Sequence, residues 1–563
     1  MIRLIKKYLK GYGRAAVAAP LLKFVEAVLE LMMPLVVSHM IDSGLGDGSV
    51  GTVVWSGVML VAMSLVGLAF SLGCQYLASK AAVGFGCNMR RALYAHVQRL
   101  EPGVIDSVGT GPLLSRLTTD VAQAQQGFAM FLRLMLRAPF IAVGAIVMSI
   151  VVAPHLWYIS LAAAALVFVA LVIVMRVSVP RFNKVQRRLD AESQLTGETV
   201  KGERVIRAFD NESRSVDRFV RAADSHRKAA TGAAVISCLL NPLASVVVNI
   251  AVVMTLWIGA GDVDTGAITQ GELVALINYL TQILLALMAI SLLMVLVSKA
   301  LSSAARINEV LDLPECAEGA GALPDPDAPL VEFRNASFSF GGEENAVGGL
   351  DLTLRRGEVL GVIGTTGSGK STMAGMLTRF YRVTEGEVRM AGNNVNDYTD
   401  EQLCSLVTLA PQKPLLFSGT VRSNLDYGGG TDDDKQRALE DADAAGFVLR
   451  KSGLDTIVLH NGSNFSGGDK QRLSLARGLV RDAPVLVLDD AASALDYVTE
   501  SRVMERVLAR SRDKAVINIS QRAGTVRHAD KILVLDGGKV VGLGTHDQLM
   551  QSCEVYRRLN NNG

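Results

Sequence analysis

The chain has no closely spaced cysteine pair. Its six cysteines, Cys74, Cys87, Cys238, Cys316, Cys404 and Cys553, are scattered, which leaves no spacing for a zinc site or a dithiol motif and reads as six free thiols. It also lacks an excess of charge of either sign. With 56 lysines and arginines against 54 aspartates and glutamates, the formal net charge is +2, so composition gives no case for a nucleic-acid partner. Nor is a cleavable leader expected in the opening residues, MIRLIKKYLKGYGRAA, which are too polar and too interrupted for a signal peptide. There Ile2, Leu4, Ile5 and Leu9 alternate with Lys6, Lys7 and Lys10, a pattern suited to an amphipathic helix on the cytoplasmic membrane surface.

What the chain has in excess is apolar sequence, and it is unevenly placed. Half of the 563 residues are hydrophobic and the mean hydropathy is +0.32, yet from about Val331 onward the composition is that of a charged, glycine-containing α/β domain. Six segments, near 16–41, 53–79, 127–153, 155–177, 231–259 and 269–298, reach the length of about 20 apolar residues that crosses a hydrocarbon core. The links 42–51, 152–155 and 259–272 contain no lysine or arginine, whereas the others carry Arg90, Arg91, Arg99, Arg176, Arg181, Lys184, Arg187 and Arg188. That bias puts the basic connections and both termini in the cytoplasm.

The basic connections, 80–126 and 178–230, carry apolar residues at helical spacing, which predicts that the membrane helices continue well beyond the bilayer. A break in each, at 106–120 and 195–210, predicts a small helix far from the membrane. In the first span Lys23, Glu26 and Glu30 share one helical face. Charges at membrane depth face a cavity or each other; a site for cationic substrates is one reading, and an ion-paired helix end near the interface is the one favoured. Pro34, Pro139 and Pro242 read as ordinary kinks.

After the linker CAEGAGALPDPDAP, short β-branched runs alternate with helical segments, as in an α/β sheet domain. The segment GVIGTTGSGKST follows one such run. Gly364, Gly367 and Gly369, with Thr365, Thr366 and Ser368 between them, let the backbone wrap around phosphate, and amides of the helix that begins at Lys370, Ser371 and Thr372 point at the anion. Lys370 would reach the β- and γ-phosphates and Ser371 would bind magnesium. A second segment, VLVLDDAASALD, ends an apolar run on Asp489 and Asp490. The first acid stands where magnesium is held, the second where a general base for water attack would stand.

Six spans followed by GTTGSGKST, LAPQKPLLFSGTV, NFSGGDKQRLSLARGL, VLVLDDAASALD and INISQR in that order resemble, over the whole chain, an ABC transporter half of the exporter-like fold. The resemblance implies an α-helical six-span transmembrane domain with two coupling helices over 1–312, a linker over 313–330, and an α/β P-loop ABC nucleotide-binding domain over 331–563. By the same resemblance Phe340 stacks on adenine, Gln412 joins the magnesium shell and senses the coupling helices, and Asp489 holds magnesium. Ser466, Gly467 and Gly468 of FSGGD would cap ATP bound by the opposite subunit.

The chain departs from that family at three positions: Asp490 stands where glutamate is usual, Gln521 where histidine is usual, and Asp469 where glutamine is usual. Asp490 is one methylene short, so its carboxylate lies about 1 Å from the place where it would polarise water, an error that can cost about a hundredfold in rate. Gln521 cannot carry the charge of an imidazole. The pattern is similar to the degenerate-site subunit of heterodimeric multidrug exporters, with binding kept and hydrolysis reduced at this chain's own site. The expected whole is an ATP- and Mg2+-dependent exporter subunit of the cell membrane, with membrane lipid, a second half-transporter and a lipophilic or amphipathic substrate as partners. A slow homodimer, an exporter-fold importer and an ATP-binding regulatory or channel protein are the alternatives.

Overall fold

Two units make up the protein, Met1–Gln98 with Gly109–Leu313 and Arg99–Val108 with Pro314–Gly563. The computed structural model describes every residue except Asp47, Glu318, 341–344 and Gly563. In chain order the first part runs α1 (Ile2–Tyr8), α2 (Gly13–His39), α3 (Val50–Val97), α4 (Pro102–Val108), α5 (Thr110–Ser115), α6 (Val121–Leu134), α7 (Arg137–Val152), α8 (Trp157–Lys201), α9 (Glu203–Ala208), α10 (Glu212–Cys238), α11 (Leu240–Asp264) and α12 (Gln270–Leu311). Of these, α4 belongs to the second unit.

Among the described residues, five helical stretches are long and apolar enough to cross a membrane: Val50–Val97, Thr110–Val152, Trp157–Lys201, Glu212–Asp264 and Gln270–Leu311. In their most apolar windows only 17% to 39% of residues are buried, and side chains such as Trp55, Phe168 and Trp257 point outward. That is the reverse of a water-soluble core. The expected first span falls in α2, where Lys23, Glu26 and Glu30 lie too close together for any stretch to qualify on composition. At 48 residues, α3 is about 70 Å long, more than twice the roughly 30 Å of hydrocarbon, so the helices do continue past the membrane zone.

Two of the expected kinks fall at short breaks within longer helical stretches, Thr110–Val152 and Glu212–Asp264. Pro139 and Pro242 each lie in the first turn, of α7 and α11, where a backbone N–H has no partner to lose. Pro34 does lie inside its helix, as do Pro20 and Pro180. Small residues let the helices approach: a Cβ on Gly127 of α6 would stand 2.1 Å from the Cβ of Ala300 on α12. Near the far ends of the same helices the buried Asp120 pairs with Arg306, and His226 of α10 meets Glu192 of α8 at 2.7 Å. At the other end Asp42 accepts hydrogen bonds from the Gly271 N–H (2.8 Å) and the Thr269 hydroxyl (2.6 Å), pinning the start of α12.

The second unit is built on strands β1 (Val331–Phe338), β2 (Val347–Leu354), β3 (Val359–Gly364), β4 (Glu385–Met390), β5 (Asn393–Asn394), β6 (Val407–Ala410), β7 (Gly419–Thr420), β8 (Ile457–Val458), β9 (Val485–Asp489), β10 (Ala515–Ile519), β11 (Lys531–Asp536) and β12 (Lys539–Gly544). Ten of them form one sheet in the order β5-β4-β1-β2-β12-β11-β3-β10-β9-β6, with β7 and β8 apart. Its central strands β11, β3, β10, β9 and β6 are parallel. Both β9 and β10 are buried along their whole length, which is why VLVL and AVI read as continuous apolar runs rather than alternating ones. Parallel pairing aligns Ile519 with both Asp489 and Val362. The carboxyl ends of β3, β9 and β10 therefore open side by side, the place where ligands meet such sheets.

Candidate functional site

The loop after β3 is shaped by what cannot fit there. A Cβ at Gly364 would lie 2.1 Å from the Leu535 carbonyl oxygen, and one at Gly369 2.4 Å from that of Ala346; Gly369 also has φ +94°. The helix that follows, α13 (Lys370–Leu377), starts at this left-handed glycine. The Lys370 side chain folds back into the loop, donating to the carbonyls of Gly364 (2.8 Å) and Thr365 (2.7 Å). Burial pushes its ammonium below the ordinary lysine range, against the pull of the Asp490 and Asp489 carboxylates.

Asp489 ends β9 and is 8% exposed. Burial raises its carboxyl above the ordinary range and the neighbouring Asp490 adds to this, while the Ser371 hydroxyl and Lys370 work the other way. Ser371 donates to Asp489 across 3.0 Å. A buried carboxylate beside a hydroxyl is a donor set that fits a small, hard cation such as magnesium. Asp490 is left-handed, at φ +50°, and its carboxylate accepts from the Gln412 amide at 3.2 Å. The structure thus brings Lys370, Ser371, Gln412, Asp489 and Asp490 to one end of the sheet. Gln521, two residues past β10, is exposed at the same end.

Ser466 begins the helix Gly467–Val480 as one half of a capping box with Asp469: Asp469 N–H donates to the Ser466 hydroxyl and Ser466 N–H to the Asp469 carboxylate, both at 3.2 Å. Asp469 also meets Arg472 at 2.7 Å. Burial opposes its ionisation, yet the hydrogen bonds with Ser466 and Arg472 outweigh that and hold the carboxyl below the usual range. Gly468 lies against the turn after Asp490, where an added Cβ would touch Ala494 and Leu495 at 3.5 Å. Phe340 is 65% exposed and stands edge-on to Phe338 and Tyr381 at 4.8 and 5.3 Å, an exposed aromatic ring of the kind that stacks on a planar base.

Sequence reading missed Gln471. It is 2% exposed, and its amide donates to the Asp490 carbonyl (3.1 Å) and the Ser493 hydroxyl (3.0 Å) while accepting from the Ala494 N–H (2.6 Å). A polar residue two places after the FSGGD aspartate, on a face otherwise buried, was the available signal. In the first unit, the charges of α2 are paired: Lys23 with Glu26 at 2.7 Å, and Glu30 with Arg137 of α7 at 2.7 Å.

Residues 17–306 match the ABC transporter transmembrane region and residues 347–493 the ABC transporter family. An uncharacterised ABC transporter ATP-binding protein of Mycobacterium tuberculosis is 33% identical over 99% of this chain and 97% of its own length. An ATP-dependent lipid A-core flippase of Hahella chejuensis is 27% identical over 99% and 98%. A bacterial Atm1-family ABC exporter solved with ATP bound superposes with a TM-score of 0.82, at 23% identity and over 98% of both chains. With its helical membrane unit, its P-loop and its paired aspartates in that order, the chain belongs to the ABC transporter family, as a half-transporter of the exporter-type fold.

Proposed function

We propose that the chain is one subunit of an ATP-driven exporter that moves a lipophilic or amphipathic compound across the cell membrane, paired with a second half-transporter. The observation that carries this reading is the meeting of Lys370, Ser371, Asp489, Asp490 and Gln412 at the carboxyl ends of β3 and β9. Phosphate oxygens would take over the Lys370 hydrogen bonds now made to Gly364 and Thr365, and the Phe340 ring would receive adenine. Magnesium, held through Ser371 and Asp489 with Gln412 nearby, would neutralise charge on the phosphates. Ser466, Gly467 and Gly468 would close over ATP bound by the partner.

In this reading α2 is the sixth span. Its charges are tolerated at membrane depth because Lys23–Glu26 and Glu30–Arg137 neutralise each other. Both termini and the nucleotide-binding unit lie in the cytoplasm, by the distribution of lysine and arginine. The lipophilic substrate class is supported by the apolar helix surfaces and by the lipid flippases among the relatives. Asp490 and Gln521 make this chain's own site the weaker of two.

Co-expression with a candidate partner, followed by native mass measurement and ATPase assay, tests the reading. A complex of two different half-transporters whose turnover survives Asp490→Asn supports it. A homodimer that loses most of its turnover on Asp490→Asn would replace it with a symmetric exporter using aspartate as its base.

A further inference from the structure

We propose that Gln471 is a positioning residue that holds Asp490, and with it the acid facing the γ-phosphate, in register with the helix Gly467–Val480. The proposal rests on the reading above that Asp490 stands beside that phosphate. Asp490 occupies a left-handed backbone conformation, φ +50°, which L-residues adopt at a cost unless neighbours hold them there. The backbone bonds that hold it divide into two kinds. Its N–H is fixed to β10, donating to the Ile519 carbonyl at 2.9 Å. Its carbonyl accepts from the Ser493 N–H (3.2 Å) and the Ser493 hydroxyl (2.9 Å), which belong to the same turn and move with it.

Gln471 supplies the remaining anchor, and it comes from a different element. Its Nε2 donates to the Asp490 carbonyl and to the Ser493 hydroxyl, and its Oε1 accepts from Ala494 N–H at 2.6 Å. One buried amide thereby spans Asp490 to Ala494 and ties the turn to a helix whose first residues are Ser466, Gly467 and Gly468. Asp490's carboxylate, which meets the Gln412 amide, is aimed by that backbone. Gln471 touches neither the P-loop lysine nor Ser371 in this network, so its effect passes through Asp490 and the turn.

The test uses the full chain in lipid nanodiscs with its partner subunit. Gln471→Ala removes every bond of the amide; Gln471→Glu keeps an acceptor for Ala494 N–H but loses both donors, and serves if the alanine variant does not accumulate. In hydrogen exchange, either change should raise exchange across 490–496 about tenfold, the effect of freeing a buried hydrogen-bonded turn, while 370–377 keeps its protection. In the ATPase assay, Asp490→Glu should raise turnover, and adding either Gln471 change should remove most of that gain in kcat with KM for MgATP within about twofold. Unchanged exchange at 490–496, or a rise spread evenly over the nucleotide-binding unit, would overturn the proposal. So would a gain from Asp490→Glu that is equal with and without Gln471. If Asp490→Glu brings no gain even with Gln471 present, the weak-base reading of this site fails, and the exchange measurement alone decides the role of Gln471.

Discussion

A single methylene separates Asp490 from the glutamate that the resemblance to ABC transporters implies at that place, and the residue-scale predictions turn on it. Asp490→Glu should restore reach toward the attacking water and speed hydrolysis at this chain's own site by a factor on the order of ten to a hundred, read in a complex whose partner site has been disabled, whereas Asp490→Asn should change turnover of the intact complex less than about twofold. Steady-state phosphate release measures both. Asp489 tests the cation site from the opposite side. Because burial raises its carboxyl, the ionised side chain is held at a cost, so Asp489→Asn should leave the chain unfolding no earlier than the parent while weakening MgATP binding. Thermal melts with and without MgATP separate the two effects. Both aspartates were legible because a buried parallel strand writes itself as an unbroken apolar run and ends where ligand is met. Gln471 was not, because its importance depends on a left-handed turn 19 residues further on, and nothing local in KQR announces that contact.

At the scale of elements, the P-loop and the helix at Gly467–Val480 are stabilised by different means. The first depends on space: Gly369→Ala would place a methyl 2.4 Å from the Ala346 oxygen at φ +94°, costing about 1–3 kcal/mol or more, and should abolish nucleotide binding measured by fluorescent ATP analogues. The second depends on its cap. Ser466→Ala should lower stability by about 1 kcal/mol. Asp469 gives the same helix a pH dependence. Its carboxyl is depressed in the folded state, so its contribution is present above the unfolded value, about pH 4, and is lost as pH falls through the lower folded one. Asp469→Asn should therefore be least stable relative to the parent near neutral pH and converge with it below about pH 4; acid titrations of both proteins followed by circular dichroism check this. The sequence marked Asp469 as a departure from pattern, but its use as the third residue of a capping box with an Arg472 partner needed coordinates, since the cap pairs two residues whose fit depends on the entry angle of the chain.

Across the whole molecule, the long helices were legible from their apolar runs and the sheet from its β-branched segments, while long-range partners were hidden. Lys23, Glu26 and Glu30 were expected to be ion-paired on sequence grounds, yet the partner of Glu30 is Arg137, 107 positions away, and no spacing rule connects them. Breaking that pair one side at a time leaves a lone charge. Glu30→Gln or Arg137→Gln should each lower the melting midpoint in nanodiscs by the equivalent of about 1–3 kcal/mol, less than for a fully buried pair because both groups are partly open, and the double change should recover at least half of the loss.

The membership of α4 in the second unit also sets a schedule for synthesis. The helix Pro102–Val108 leaves the ribosome long before β1 at Val331 exists, and within its unit it is held by contacts such as Glu101 with Arg382 at 2.7 Å and Asp106 with the Tyr381 hydroxyl at 3.3 Å. At 5–20 residues per second, the chain between them takes on the order of ten to forty-five seconds to emerge. Throughout that interval α4 waits without its docking surface, and a truncated message that stops before Tyr381 would release a membrane unit with an unclaimed helix, a ready mark for quality-control proteases.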